Sequence, residues 1–320
     1  MSITPSAPVV REAEELAEES APPPRTRRRR RGTGGTMAKQ YPMWFYIPAG
    51  ILFLVLFIVP TIASFYFSLT RWSLFDIEFI GFANYVQFFK EPALVQGFVN
   101  TFIFGFVTSA LKVVLGLLIA LLLTGRIIGR TFLRAVIFFP VLVSTIGIGI
   151  TFKVLMDPFD GLINETLAAF GIAGPAWLTD PSIALLSVAL VDVWRGVGLA
   201  SLIYIAGIVA IPQEYFEAAK VDGSGAWNSF RHIMFPLLMP ATATVIILSL
   251  IGGLRSFDLI WAMTKGGPGF SSDVISSVIF KQYQAGFFGL SAAGNVVLFL
   301  VVTAIIVPIF WLLNRKEVEQ

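Results

Sequence analysis

Six long apolar stretches are the feature that most limits how this chain can fold. A helix of about 20 apolar residues crosses the roughly 30 Å hydrocarbon core of a bilayer, and each stretch reaches that length. Only 13% of the 320 residues are charged, about half of the roughly 25% that is typical of soluble domains. The pattern therefore predicts an all-α polytopic membrane protein with six spans, at residues 44–69, 99–124, 136–155, 183–211, 242–264 and 292–313.

Several kinds of site chemistry are excluded by residues that the chain lacks. It has no cysteine and a single histidine, His232, so a thiolate zinc site or a site with several histidine ligands cannot form. The glycine-containing segment 125–131 lacks the lysine and the spacing of a phosphate-binding P-loop. We therefore expect no metal, no cofactor in this chain and no nucleic-acid partner. If ATP drives this protein, another subunit must bind it with Mg²⁺ and hydrolyse it.

Residues 1–36 form a region of a different character. Five glutamates between positions 12 and 19 precede three consecutive prolines and a run of arginines that ends at Arg31. Such a composition cannot form a packed core, so we expect a disordered tail, with residues 37–320 forming the membrane domain. The arginines either lie against anionic lipid headgroups or are solvated and only reinforce the topology. Met37 is an alternative start of the chain.

Charges in the short loops predict the orientation, because lysine and arginine accumulate on the cytoplasmic side. The loop 157–180 contains four carboxylates and no lysine or arginine, as expected outside the cell. Six spans would place the other charged segments together on the opposite side: the tail, Arg126, Arg130, Arg134, Arg315 and Lys316. We therefore expect a bacterial inner-membrane protein with both termini in the cytoplasm.

The cytoplasmic loop at residues 212–236 is predicted to fold as two short helices. Pro212 suits the first turn of a helix, and Gly223 can adopt the positive φ that often ends one. A second helix then presents three apolar side chains on one face, and Pro236 is expected to end it. Those three side chains are Trp227, Phe230 and Met234.

This loop resembles the EAA loop of ABC importer permeases. The shared features are the triplet 217–219, a glycine at position 223 and an ending I-x-F-P at 233–236, where the family usually has I-x-L-P. The resemblance implies a type I importer core of six spans whose coupling helix docks into an ATPase subunit. An ordinary interfacial helix pair is the alternative. The coupling residues implied are Glu217, Ala218, Ala219, Asp222 and Gly223.

Three further segments are similar to those of carbohydrate-uptake permeases of the larger, maltose-type subunit. They lie at 79–85, at 161–181 and at 256–269. This similarity implies a sugar as substrate and import by alternating access. It also implies the partners of such a permease: a second permease subunit, two ATPase subunits and an extracytoplasmic solute-binding protein.

Ionisable residues within spans are costly and are therefore functional candidates. Lys112 lies in the middle of span two. Asp192 with Arg195, and Arg255 with Asp258, are each three residues apart, so we predict that each pair neutralises itself along one helix.

A substrate path is predicted along a small and polar face of span five, where the maltose-type resemblance implies the sugar site. A helix-packing surface is the alternative explanation for such residues. The candidates are Ser249, Gly252, Gly253 and Ser256, together with Gly196 of span four. Aromatic surfaces for a sugar could come from Trp194, Tyr204 and Trp261.

Two other functional classes and one other substrate are open at this stage. An ion-coupled secondary transporter typically repeats its halves to reach ten or more spans, and we find six spans without a repeat. A membrane enzyme or receptor would need a cluster of acid–base or metal-binding residues near one surface, and none stands out. Within the importer family, a glycerol-phosphate-type substrate would need several cations in the path.

The predicted topology can be tested with reporter fusions. A reporter joined after Asp160 and one joined after Arg130 should lie in opposite compartments, because the acidic loop and the arginine-rich loop lie on opposite sides. Compartment-specific labelling of each fusion measures this. Both reporters on the same side would contradict the six-span topology.

Overall fold

The computed structural model describes residues 43–73, 75–125 and 127–315. The tail 1–36, Met37, Arg126 and Lys316 lie outside these residues. The described residues divide into two compact units, one ending at Phe57 and the other beginning at Ile58. In chain order, the helices are α1 (Ile47–Phe53), α2 (Val59–Phe67), α3 (Ala83–Lys90), α4 (Pro92–Thr124), α5 (Arg130–Leu142), α6 (Thr145–Leu155), α7 (Leu162–Ala169), α8 (Ala184–Ala210), α9 (Gln213–Val221), α10 (Ala226–Ser229), α11 (Phe235–Leu237), α12 (Met239–Leu254), α13 (Asp258–Met263), α14 (Ile275–Gln284) and α15 (Phe288–Arg315).

The fold is that of an all-α polytopic membrane protein, as the sequence predicted. Among the described residues, four helical segments are each long and apolar enough to cross a membrane. Two further pairs of helices meet the same criteria but are bent, and the total is six if each pair crosses as one span. The four unbent segments are Trp44–Phe67, Pro92–Thr124, Ala184–Ala210 and Phe288–Leu313.

The third predicted span is broken, which the sequence analysis did not foresee. Helix α5 ends at Leu142 and α6 begins at Thr145, and the two axes differ by 99°. Val143 and Ser144 between them have extended backbone, with ψ of 144° and 129°. Pro140 lies in the last turn of α5, and because it has no N–H it removes one helical hydrogen bond just before the break.

The fifth predicted span ends earlier than expected. Helix α12 stops at Leu254, and the short helix α13 begins only at Asp258. Two consecutive glycines, Gly252 and Gly253, weaken the last turn of α12, since glycine costs about 1 kcal/mol per helical position relative to alanine. The predicted continuous helix over 242–264 is therefore wrong beyond residue 254.

Small residues let helices α4 and α8 pack closely along their length. A Cβ built on Gly116 of α4 would approach the Cβ of Ala200 to 2.8 Å, so these backbones are as near as glycine allows. Tyr204 and Leu123 are fully buried in the same cluster. Close contact through small residues is the usual basis of helix association in membranes, where lipid and leucine are equally apolar.

A buried ion pair also joins α4 to α8. The ammonium of Lys112 lies 2.5 Å from a carboxylate oxygen of Asp192, and both side chains are less than a tenth exposed. The predicted pairing of Asp192 with Arg195 is therefore wrong. Arg195 instead donates a hydrogen bond to Thr145 at the start of α6, at 3.0 Å. Sequence spacing along one helix could not reveal a partner 80 positions away.

The other predicted pair, Arg255 with Asp258, is also absent from the ion pairs between described residues. Arg255 follows the last residue of α12, and Asp258 begins α13. The i,i+3 geometry that brings side chains together exists only within a continuous helix. Both side chains are exposed.

A two-stranded hairpin and several short helices connect the spans on one side. Strands β1 (Thr70–Trp72) and β2 (Ile77–Phe79) are antiparallel. The buried amide of Asn84 in α3 donates to the carbonyls of Ser68 and Thr70, each at 2.8 Å. The hairpin is thereby held against the end of α2.

The ion pair generates a stability prediction. Lys112→Met should destabilise the protein by about 3–5 kcal/mol, because it leaves Asp192 as an unpaired buried charge. The double variant Lys112→Met with Asp192→Leu should recover most of that loss. Thermal unfolding of the purified protein in detergent measures both.

The matched control for this experiment is Lys153→Met, since Lys153 is an exposed lysine of α6. It should change stability by less than about 0.5 kcal/mol. A double variant at least as unstable as the sum of its single changes would show that the two charges do not stabilise each other.

Candidate functional site

The predicted coupling loop has the two-helix form that the sequence indicated. Helix α9 ends at Val221, and Gly223 has φ of +75°. The N–H of Gly223 donates to the carbonyl of Lys220, and that of Ser224 donates to the carbonyl of Ala219. These two bonds form a Schellman motif, which requires a left-handed residue at the glycine position. The prediction of a positive φ at Gly223 is confirmed.

One face of α9 is exposed and has no packing partner among the residues that the structure describes. Glu217 and Ala218 of the triplet are exposed, whereas Ala219 is only 7% exposed and faces its own chain. Tyr215 and Val221 add apolar area, being 54% and 88% exposed. Positions 215, 218 and 221 are spaced by three residues and therefore share a face. The sequence analysis missed Tyr215 and Val221, although apolar residues on a short polar helix were a signal.

The second half of the loop differs from the prediction at Pro236. The helical stretch does not end there but continues through α11 to Leu237, and a bend of 64° separates it from α12. A π-helical turn, Phe230–Met234, directly precedes α11. Proline lacks an N–H, and its ring clashes with the carbonyl four residues earlier. A π-helical turn relieves this clash because its wider hydrogen-bond spacing moves that carbonyl away from the ring. The same arrangement occurs at Pro60, where the π-helical turn Leu54–Ile58 directly precedes α2.

The second half also carries an exposed aromatic side chain. Trp227 is 72% exposed, and its ring lies 5.5 Å from that of Phe230 in a stacked arrangement. The hydroxyl of Ser224 accepts a hydrogen bond from Asn228 and contacts that of Ser229. The two halves of the loop are therefore joined through Ser224.

The residues predicted for the substrate path do not form one face. Gly253 is buried, and a Cβ there would lie 2.8 Å from the Cα of Gly105 in α4. Gly252 has open space around it and is exposed. Ser256 lies beyond the end of α12, and Ser249 is partly exposed. Gly253 thus packs against α4, whereas Gly252 lies on the exposed surface of α12. Whether these residues contact substrate stays a prediction.

The remaining path candidates lie in different surroundings. Gly196 leaves room for the side chain of Lys112, since a Cβ at position 196 would lie only 2.6 Å from the Cε of Lys112. Tyr204 is completely buried and cannot offer a ring face to a ligand. Trp194 is 47% exposed. Trp261 stacks on Phe257 with ring centroids 5.6 Å apart.

A buried carboxylate organises the turn between α13 and α14. Asp273 is completely buried, and it accepts hydrogen bonds from Ser277 at 2.8 Å and from Lys281 at 2.6 Å. Burial raises the pKa of Asp273, and the bonds from Lys281 and Ser277 oppose that shift. Gly266, with φ of +85°, lies so close to this carboxylate that no side chain fits.

Helix α4 holds the same turn from the other side. The amide of Asn100 donates to the carbonyl of Ser271 at 2.9 Å and to that of Asp273 at 2.8 Å. The hydroxyl of Thr101 accepts the N–H of Ile275 at 2.8 Å. Neither residue was singled out from the sequence. Their partners lie more than 170 positions away, so no local signal could have identified them.

The acidic loop 157–180 carries two carboxylates held by local bonds. The backbone N–H groups of Phe159 and Asp160 donate to Asp157 and lower its pKa. The hydroxyl and the N–H of Ser182 do the same for Asp180. Both groups are solvent-exposed and ionised at neutral pH, so this loop presents negative charge.

A comparison with known families matches most of the helical region. Residues 112–316 match the family described as binding-protein-dependent transport system inner membrane component. The match includes the coupling loop and the last four spans. The chain belongs to this family. It is a transport subunit rather than an enzyme, and separate subunits hydrolyse the ATP.

Individual relatives cover nearly the whole membrane domain. The trehalose/maltose transport system permease protein MalF of Thermococcus litoralis is 34% identical, over 80% of this chain and 88% of its own. The probable ABC transporter permease protein YurN of Bacillus subtilis is 33% identical, over 83% of this chain and 94% of its own.

A solved structure shares the fold. It is the crystal structure of a bacterial ABC transporter involved in the import of the acidic polysaccharide alginate. Its matching chain has a TM-score of 0.75 at 22% identity, over 85% of this chain and 94% of that chain. The predicted type I importer fold is thereby confirmed.

The two neighbouring glycines of α12 provide a matched pair of substitutions. Gly253→Val should reduce the yield and thermal stability of the folded protein, because the added methyl groups would collide with the backbone of α4. Gly252→Val should fold normally, since open space surrounds that position, and should slow transport if this face lines the path. Size-exclusion chromatography, thermal unfolding and uptake distinguish these outcomes. Normal uptake by Gly252→Val would remove that face from the path.

Proposed function

We propose that this chain is the permease subunit of an ATP-driven importer that moves a sugar across the inner membrane. The observation that carries the coupling part of the proposal is the exposed face of α9, formed by Tyr215, Ala218 and Val221. Exposed apolar area of this kind marks an interaction site. The sugar is supported by the 34% identical relative, which is named for trehalose and maltose transport.

The face of α9 would dock into a groove of an ATPase subunit that binds ATP with Mg²⁺. The Schellman motif at Gly223 ends the helix sharply, so the docking element is short and rigid. Glu217 is the one ionised side chain of the triplet and would meet a cationic or hydrogen-bonding group of the partner. Two such ATPase subunits would serve this chain and a second permease subunit.

Import would proceed by alternating access. Closure of the two ATPase subunits on ATP would draw the coupling helices together and open the spans outward, where the solute-binding protein delivers the sugar. Hydrolysis would restore the inward-facing state. The bends of 99° and 64° support this proposal, because helix breaks are natural hinges.

The proposed orientation places both termini and the coupling loop in the cytoplasm. The loop 157–180, with its exposed carboxylates Asp157 and Asp180, would then face outward. Arg130 and Arg134 in the first turns of α5 support an inward position for the start of that helix, because cationic residues accumulate on the cytoplasmic side. The side chain of Arg134 donates a hydrogen bond to the carbonyl of Leu123 at the end of α4, at 2.8 Å.

The coupling proposal is tested by charge reversal. Glu217→Lys should lower co-purification of the ATPase subunit at least several-fold while the permease still inserts, because it places a cation where the partner's groove expects an anion. Gly223→Ala should have a milder effect, on the order of 1 kcal/mol, from the strained turn alone. Affinity purification of the complex and binding-protein-stimulated ATP hydrolysis measure both.

Glu165→Lys is the matched control, since Glu165 is exposed on α7, which the proposed topology places outside. The same reversal of charge should leave co-purification unchanged there. Wild-type co-purification and hydrolysis in Glu217→Lys would show that α9 is not the docking element.

A further inference from the structure

A cavity lies where α2, the β1–β2 hairpin, α14 and α15 meet. Its volume is about 600 Å³, and a neighbouring cavity of about 300 Å³ shares Tyr283, Ser291 and Asn295 with it. These volumes fall in the range that small-molecule sites occupy, about 300–1,000 Å³. The cavity is at the end of the first span and the start of the last one, which is the outer side in the proposed topology. It is separate from the predicted path residues of α12.

Aromatic rings form one wall of the larger cavity. The ring of Trp72 lies 4.4 Å from that of Phe67 and 5.3 Å from that of Phe288. The ring of Tyr283 lies 5.2 Å from that of Phe288 and is more than half exposed. Rings that support one another in this way hold fixed positions, and their faces are suitable for packing against the C–H groups of a ligand.

An amide on α15 provides the polar side of the cavity. Asn295 is exposed within an otherwise apolar helix that is long enough to span the membrane. Its side-chain nitrogen donates to the carbonyl of Ser291 at 3.3 Å, and no described residue donates to its oxygen. An amide facing hydrocarbon is costly, so this position favours contact with water or with a polar ligand. Ser64, Ser73 and Ser291 also line the cavity.

The described lining of both cavities contains no charged side chain. A phosphate headgroup or a uronic acid would require a cation to offset the cost of leaving water. A pyranose without charge matches the lining, since its C–H face fits aromatic rings and its hydroxyls fit an amide and serine hydroxyls. An acyl chain would leave Asn295 without a partner.

We propose that this cavity is a binding site for an uncharged saccharide, a second recognition point at the outer side of the importer. The inference rests on the proposed function and names a substrate class for it. The saccharide would pack on Trp72 and Phe288 and would hydrogen-bond to Asn295. Neutral sugars would thereby be distinguished from acidic ones before they reach the predicted path along α12.

A single introduced thiol tests the site directly, because the chain has no cysteine. In the complete importer in proteoliposomes, Ala292→Cys should react with a membrane-impermeant maleimide, since Ala292 lines the cavity. Maltose or trehalose should slow that reaction at least threefold, whereas a trisaccharide of galacturonic acid should not. The control Ala285→Cys is exposed between α14 and α15 and lies outside both cavities, and sugar should not change its reaction rate.

Kinetics of the same importer provide a second readout. Asn295→Leu should raise the KM for uptake of maltose or trehalose at least fivefold with little change in kcat, because it removes the ligand's hydrogen-bond partner. Asn295→Gln should restore part of the affinity. Phe299→Leu, an exposed position of the same helix outside both cavities, should behave like wild type.

The outcomes separate this inference from the proposed function. The binding site alone would be overturned if the wild-type importer takes up an uncharged saccharide, but that saccharide does not slow labelling of Ala292→Cys and Asn295→Leu has the wild-type KM. Equal protection by the uronic trisaccharide, or no labelling of Ala292→Cys, would also overturn it. A wild-type importer that takes up no saccharide would overturn the proposed function, and the binding site with it.

Discussion

In hydrocarbon, every backbone and side-chain polar group must find its partner within the protein. The ion pair of Lys112 with Asp192 shows how this chain meets that constraint for two buried charges. Each charge would be very costly alone, but α4 and α8 approach closely enough to bring the two groups to 2.5 Å. Gly116 allows that approach, and Gly196 leaves space for the lysine side chain. The packing of these helices and the placement of their charges therefore depend on each other.

Helix ends inside such a protein pose the same problem, because their terminal carbonyls have no intrahelical partners. One of these ends is satisfied by a side chain from another helix, since Arg134 of α5 donates to a carbonyl at the end of α4. The irregular segment before α14 is satisfied in a similar way, because the amide of Asn100 donates to the carbonyls of Ser271 and Asp273. In both places a side chain replaces a backbone hydrogen bond that the local structure does not supply.

The two-helix form of the loop 212–236 was predicted well because its signals are local. A positive φ at Gly223 and a helix ending just before it follow from the residues within one turn. The surroundings of the small residues of α12 were predicted less well. Consecutive glycines can mean either an open surface or a close contact, and here Gly252 has the first role and Gly253 the second. Which glycine is in close contact depends on where α4 lies, and the sequence does not show that.

The sequence by itself determined that the chain is a helical membrane protein, since the length and apolar character of its segments leave no other way to satisfy the backbone in lipid. It also determined the end of α9 and the turn at Gly223. The tertiary structure decided which charges pair, where two of the spans bend, and that Trp72 and Asn295 line one cavity. Those features depend on contacts between residues distant in the chain, such as Lys112 and Asp192, 80 positions apart. Spacing along one helix contains no information about which other helix will lie beside it.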